Sequence, residues 1–409
     1  MIATARGAGG ERTSALRLGY LVPEFPTQTH VFFWREAAAL GELGVDVHWL
    51  STRRPQHVCP HAFARDAAQR THYAFPPRVA TALRLLLERP AATAGALGYL
   101  ARLHESSAAE KLRRLGLLLC AADLAALCRV RGIGHLHAHS CAEAAHLVAL
   151  AARLGGLPYS LTLHGDLEVY GRDHRSKMAA ASFVSAVTAD LQRQVTGRLG
   201  LPAERVPVIR MGVDTDLFAP PAARACEPGR LHLVTVARLA ECKGHRHALA
   251  ALRQLVDAGI DARYTIAGDG EDRGTIEAEA ARLDLADRVR LTGGLPESDV
   301  LALLRGADAF VLPSVGVGEA APVALMEAMA TGLPAVCSII GGVPEMLEDA
   351  VEGYLVPQAD APALAAALAR LAASPPLRTR LGAAARARAV EEFGARRGAA
   401  ALLARIRGC

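Results

Sequence analysis

Aromatic side chains make up only 4% of the 409 residues and charged ones 21%, against 51% hydrophobic. So few rings cannot build a stacking platform for single-stranded nucleic acid, and so apolar a chain is not disordered. The eight cysteines, Cys59, Cys120, Cys128, Cys141, Cys226, Cys242, Cys337 and Cys409, are scattered and form no CxxC pair. That excludes a disulfide frame or a zinc ribbon and reads as reduced thiols in a cytoplasmic protein. Nowhere do eighteen apolar residues run uninterrupted, and residues 1–14 hold no apolar leader core, so neither a membrane span nor secretion is expected. Net charge of +5 favours an anionic small molecule or lipid surface but lacks the clustered basic stripe of a nucleic-acid binder.

What is present is alternation. At roughly 150 residues per domain the length predicts two or three domains. LRLGYLV (residues 16–22), the helical VFFWREAAALGEL and VDVHWLS (residues 45–51) form a strand, helix and strand, which implies a parallel sheet. HLHAHS, YSLTLHG and FVSAV continue it, and VPVIRMGVDTDLF closes the first half. Residues 80–130 are helical, with leucines interleaved by arginines. APPAARACEPGR (residues 219–230) has no periodicity and is the best linker. Beyond it six further strands, LHLVTVARL, ARYTIAG, VRLTG, AFVLPS, PAVCSI and GYLVP, alternate with helices or loops, and the tail from Asp360 is helical. The expected class is α/β: two doubly wound, Rossmann-like domains, residues 1–218 and 219–385, whose crevices at the strands' carboxyl ends face each other across a cleft. Residues 386–409 form a last helix expected to cross back onto the first domain.

Two clusters stand out in the second half. Arg238 and Lys243 follow a strand directly, in VARLAECKG, where fixed positive charge meets an anionic group at a strand's carboxyl edge. Glu319 and Glu327 follow AFVLPS, with Gly316 and Gly318 giving a flexible loop and Pro322 suited to the first helical position. The opening amides of that helix, at Val323 and Ala324, would cradle a phosphate. Carboxylates beside a phosphate cradle make sense if they accept hydrogen bonds from a sugar diol.

Glu319, seven residues, then Glu327 resembles the signature of the family 4 retaining glycosyltransferases. It arrives with VARLAECKG, IAGDGEDR, VRLTGGL, GADAFVLPS and GGVPEMLEDAVEGYLVP in that family's order. YLVPEFPTQTHVFFWRE, HLHAHS and YSLTLHGDLEVYG resemble the branch that builds bacterial exopolysaccharides such as colanic acid. The resemblance implies a GT-B fold and a nucleotide-sugar donor, UDP- or GDP-linked, with no metal or other cofactor. It assigns Arg238 and Lys243 to the donor diphosphate, Gly294 and Leu295 to the nucleotide side, Glu327 to the ribose and Glu319 to the transferred sugar. His164 takes the place of the histidine near the reacting sugar, so His164 and Glu319 are the catalytic candidates. Thr29, His30 and His139 are candidates for the acceptor, a carbohydrate or lipid-linked glycan. Where most members carry Gly-Phe-Gly after the first glutamate, this chain has Ala320, Ala321 and Pro322, and proline donates no N–H. The first strand is likewise followed by PEFPTQTH rather than by a glycine-rich loop.

Further readings stand beside this one. His135, His137 and His139 alternate along a strand, so they share a face, and a metal-dependent hydrolase is the alternative; no further ligand follows in Ser140 or Cys141. A nucleotide-sugar-binding protein without catalysis is another. Asp214 and Asp216 form a DxD triplet, for which a turn or helix-cap role is expected. The leucine- and arginine-rich residues 80–131 fit core-packed helices ahead of an interfacial face, so peripheral contact with the inner face of the plasma membrane is a secondary expectation.

Overall fold

A computed structural model describes residues 16–56, 59–222, 228–317 and 319–409. Residues 1–14, part of the linker including Cys226, and Gly318 therefore lie outside the described residues.

The first sheet holds β1 (Arg17–Leu21), β2 (Asp46–Ser51), β3 (His72–Tyr73), β4 (His135–Ala138), β5 (Tyr159–Leu163) and β6 (Val184–Ala186), in the order β3-β2-β1-β4-β5-β6. The second holds β7 (Arg230–Val236), β8 (Asp261–Ala267), β9 (Val289–Gly293), β10 (Ala309–Leu312), β11 (Ala335–Ser338) and β12 (Gly353–Val356), in the order β12-β11-β10-β7-β8-β9. Every pairing within both sheets is parallel. All residues of β4, β5, β10 and β11 are buried, as expected of central strands whose two faces are both covered by helices. Numbered within its own domain, each sheet runs 3-2-1-4-5-6, so this is the two-domain Rossmann-like architecture expected.

Three details differ from the sequence reading. β3 was not expected, because two residues carry no periodicity; it pairs with the end of β2, Leu50 against His72. The helical stretch breaks into Val79–Glu88, Pro90–Ala101 and Ala108–Arg131. The last begins at a capping box in which the Ser107 hydroxyl accepts from the Glu110 amide and Glu110 accepts from the Ser107 amide at 2.7 Å. The crossing element is shorter than expected. Pro375–Glu392 stays on the second domain against the helix Val323–Ala330, and only Ala395–Arg407 packs on the first domain's helix Val31–Glu42. Leu402, Leu403 and Ile406 there join Leu18, Tyr20 and Leu40 in one buried cluster.

Asp214 accepts from the amides of Asp216 and Leu217, each at 3.0 Å, which is the turn role expected of the DxD triplet. The seven cysteines among the described residues are free, and no described helix is long and apolar enough to cross a membrane. Because the crossing helix completes the first domain's core, Leu402→Ala is expected to destabilise that domain by about 2–5 kcal/mol. Urea unfolding checks this; a midpoint equal to wild type would show that the helix is dispensable.

Candidate active site

In an open parallel sheet, ligands settle where the strand order reverses. That point lies between β7 and β10 in the second domain, and the chemistry-bearing residues cluster there. Arg238 follows β7 by two residues, and Lys243 ends a short turn, Glu241–Lys243. Gly244 then takes φ +67°, and a Cβ on it would stand 1.9 Å from the Pro313 carbonyl oxygen. Only glycine lets the loop after β7 close onto the loop after β10 in this way. The Val315 amide donates to the Cys242 carbonyl at 2.8 Å, completing the contact.

The result is an ion pair between Lys243 and the buried Glu319, whose carboxylate also accepts from the Ser314 hydroxyl at 3.2 Å. The backbone behind Glu319 is held by close packing too: a Cβ on Gly341 would stand 1.9 Å from its carbonyl oxygen. Pro322, expected as the first helical residue, is the extended cap instead, with φ −67° and ψ 113°, and the helix opens at Val323. Its missing N–H is then immaterial, and the free amides at Val323 and Ala324 are the helix's first two. Glu327 sits one turn further in, 5% exposed.

Thr29, Arg238, Lys243, Leu295, Glu319, Val323, Ala324 and Glu327 line one cavity of about 250 Å³ between the domains. Gly294 stands just outside, where a Cβ would meet the Gln28 side chain at 2.7 Å. Burial lowers the ammonium pKa of Lys243, Cys242 raises it somewhat, and Arg238 lowers it further. Burial also raises the carboxyl of Glu327, against the opposing pull of Arg35.

Several residues of this cavity were missed from the sequence. Arg35, Gln28 and His61 come from the first domain, and Glu297 from the second. Arg35 had one readable signal, a cation inside the apolar run VFFWREAAAL; Gln28 and His61 had none.

The histidines are arranged differently. His164 follows β5; its Nδ1 lies 2.9 Å from the Met211 sulfur and its ring packs against Phe32 and Phe33, outside the cavity wall. His139 has a fully buried side chain, with Nδ1 3.1 Å from His164 Nε2 and Nε2 3.3 Å from the Glu36 carboxylate. It stands behind His164 rather than on the cleft surface. Tyr20 donates to Glu36 at 2.8 Å, and burial pushes the Glu36 carboxyl up to about 7 although that hydrogen bond lowers it. His30 stacks on Phe25 beside the short turn Gln28–His30 and does not line the cavity. His135 and His137 do share a face, as expected, but both turn to Ser160 at 2.8 and 2.7 Å, and His137 also reaches Thr162 at 2.9 Å. Among the described residues no three His, Cys, Asp or Glu side chains stand together as a metal site. The hydrolase reading loses its ligand set.

Sequence profiles of known families divide the chain at the linker. The profile described as Glycosyltransferase Family 4 matches residues 30–217, and that of Glycosyl transferases group 1 matches residues 224–388. The chain belongs to the family 4 glycosyltransferases. Among its relatives, the protein of Escherichia coli (strain K12) named for colanic acid biosynthesis, glycosyltransferase WcaL, is 43% identical over 42% of this chain and 43% of its own length. The amylovoran biosynthesis glycosyltransferase AmsK of Erwinia amylovora is 39% identical over 50% of this chain and 51% of its own length. The chain thus spans about half the length of the curated relatives it matches. The crystal structure of Anabaena Alr3699/HepE in complex with UDP and glucose superposes with a TM-score of 0.71 at 17% identity, over 97% of this chain and 100% of that one, so the fold of this family 4 chain is GT-B.

Burial lowers the pKa of His30 and His135 to about 4, that of His146 and His164 to about 3, and those of His137 and His139 well below the usual 6.5. Below about pH 6.5 the unfolded chain binds protons at these positions that the native state refuses. Glu36 and Glu327, whose carboxyls burial raises, act in the opposite sense, but they are two groups against six. The melting temperature is therefore expected to fall as pH drops from about 6.5 toward 4. A melting temperature that stays constant or rises over that interval contradicts neutral, buried histidines.

Proposed function

We propose that the protein is a retaining glycosyltransferase that moves a sugar from a nucleoside diphosphate donor to a carbohydrate hydroxyl during assembly of a bacterial exopolysaccharide or surface glycan. One observation carries this reading: Arg238 and Lys243, the opening turn of a helix, and Glu319 and Glu327 line a single interdomain cavity. Arg238, Lys243 and the Val323 and Ala324 amides are the groups that would hold the diphosphate. Glu327 would accept from the ribose diol and Glu319 from the transferred sugar. As the bond from the sugar's anomeric carbon to the diphosphate oxygen breaks, negative charge grows on the diphosphate, where fixed positive charge in a dry site stabilises the transition state most. The acceptor oxygen bonds that carbon on the same face, and its proton passes to the departing diphosphate oxygen. Arg238 and Lys243 supply the positive charge, so the reaction as proposed uses no metal. The relatives named for colanic acid and amylovoran biosynthesis support the pathway class, and the HepE complex supports UDP as the first donor nucleotide to test.

Lys243→Ala is expected to lower kcat by about a hundred- to a thousandfold in protein that still folds, at a lower melting temperature because Glu319 loses its counter-ion. Steady-state assay of nucleotide release from UDP- and GDP-sugars, with and without EDTA, checks this. Unchanged turnover removes the diphosphate assignment, and loss of wild-type activity in EDTA removes the metal-independent reading. Binding of donor without nucleotide release for any acceptor leaves the non-catalytic alternative.

A lipid-linked acceptor would reach the cleft from a bilayer surface, and one exposed face supports this. Phe75, Val79, Leu83 and Leu87 are 63%, 51%, 49% and 82% exposed, the last three spaced four apart along the helix Val79–Glu88. The exposed Arg84, Arg89 and Arg129 around them outnumber Glu88. An apolar stripe with a basic rim fits an anionic lipid surface. The double variant Leu83→Asp/Leu87→Asp is expected to abolish cosedimentation with phosphatidylglycerol vesicles while leaving UDP affinity unchanged. Equal sedimentation of wild type and variant would contradict it.

A further inference from the structure

Arg35 projects from the first domain's helix Val31–Glu42 into the second domain. Its Nε donates to Glu297 at 2.8 Å and its Nη2 to Glu327 at 2.7 Å. The side chains of Arg35 and Glu327 are each 7% exposed, and the guanidinium lies 4.8 Å from the centre of the Phe218 ring. The family resemblance assigns nothing to this arginine. We propose that Arg35 is a positioning residue of the donor site, which holds the Glu327 carboxylate from the opposite domain so that it stays ionised and turned to accept a ribose diol. The proposal rests on the reading of Glu327 as the ribose contact.

The chemistry is that of a buried acceptor. An ionised carboxylate only accepts, and so takes both hydrogen bonds of a vicinal diol; once protonated, it donates one and loses the match. Burial pushes the Glu327 carboxyl up, and Arg35 is the largest influence pulling it back. Glu297 works against ionisation and His61 in favour of it. The helix Val323–Ala330 carries no other titratable side chain. On the strands behind it Cys337 is a neutral thiol, pushed up to about 12 by burial. From the helix Pro375–Glu392, Arg386 bonds the Ala330 carbonyl at the far end. Further along the cavity stand Arg238, Asp269 and the Lys243–Glu319 pair. Arg35 is thus the cation in hydrogen-bond contact with Glu327, and it comes from the other domain. Donor affinity is then complete only when the two domains are closed on each other.

The test compares UDP and GDP with their 2′,3′-dideoxy counterparts by calorimetric titration from about pH 5 to pH 9. Wild type is expected to favour the ribonucleotide by about ten- to a hundredfold at neutral pH. In Arg35→Met the Glu327 carboxyl titrates higher, so the preference collapses at neutral pH and returns as pH rises. Arg35→Lys, which keeps the charge, is expected to retain most of it. Arg35→Met/Glu327→Gln should show no preference at any pH. An Arg35→Met protein that weakens both nucleotides equally, with the wild-type pH profile, overturns the proposal and leaves Arg35 a structural tie. Wild type without ribose preference overturns the reading of Glu327 itself, and the proposal with it. Should Arg35→Met fail to fold, Arg35→Lys decides: a lysine variant with no ribose preference at neutral pH overturns the proposal.

Discussion

A carboxylate buried as deeply as that of Glu327 stays charged only beside a cation, and here the cation comes from the other domain. Arg35 meets Glu327 and Glu297 across the cleft, while Lys243 meets Glu319 inside the second domain. Breaking either pair on one side leaves an uncompensated buried charge, which is strongly destabilising. Within the site, Arg35 is thus met by Glu297 and Glu327, and Lys243 by Glu319. In the proposed reaction a diphosphate would take over Glu319's role as counter-anion to Lys243, and a ribose would add hydroxyl donors to Glu327. Donor binding as proposed would exchange one set of partners for another, rather than fill an unpolarised hole.

The fold makes this geometry inexpensive to reach. Both sheets reverse their strand order at the centre, and the reversal in the second domain places the loops after β7 and β10 side by side. Gly244 lets those loops touch. The crossing helix Ala395–Arg407 ties the end of the chain to the first domain's opening helix, which is the helix that carries Arg35 and Glu36. The same element therefore supports the domain pairing and the side chain that bridges it.

Much of this was legible in the sequence, for physical reasons. Short apolar runs followed by helical periodicity revealed eleven of the twelve strands, and β3 escaped because two residues have no period. Charge in the loops and the helix that follow two strands marked Arg238, Lys243, Glu319 and Glu327, since a strand's carboxyl end is where a parallel sheet exposes its loops. Arg35 and Glu297 are 262 positions apart and no local pattern links them. Their partnership is a product of domain closure, which spacing does not encode. The histidines of HLHAH show the converse limit: their shared face was legible, but Ser160 and Thr162 on the neighbouring strand, which bond His135 and His137, come from tertiary pairing.

The central claim is that a pyrophosphate lies between the Arg238 and Lys243 side chains on one side and the opening turn of the helix Val323–Ala330 on the other. A crystal structure of the protein grown with UDP tests it most directly. The account predicts both phosphates within hydrogen-bond distance of Lys243 and of the Val323 or Ala324 amide. A nucleotide bound elsewhere, with Lys243 still paired to Glu319, would contradict it.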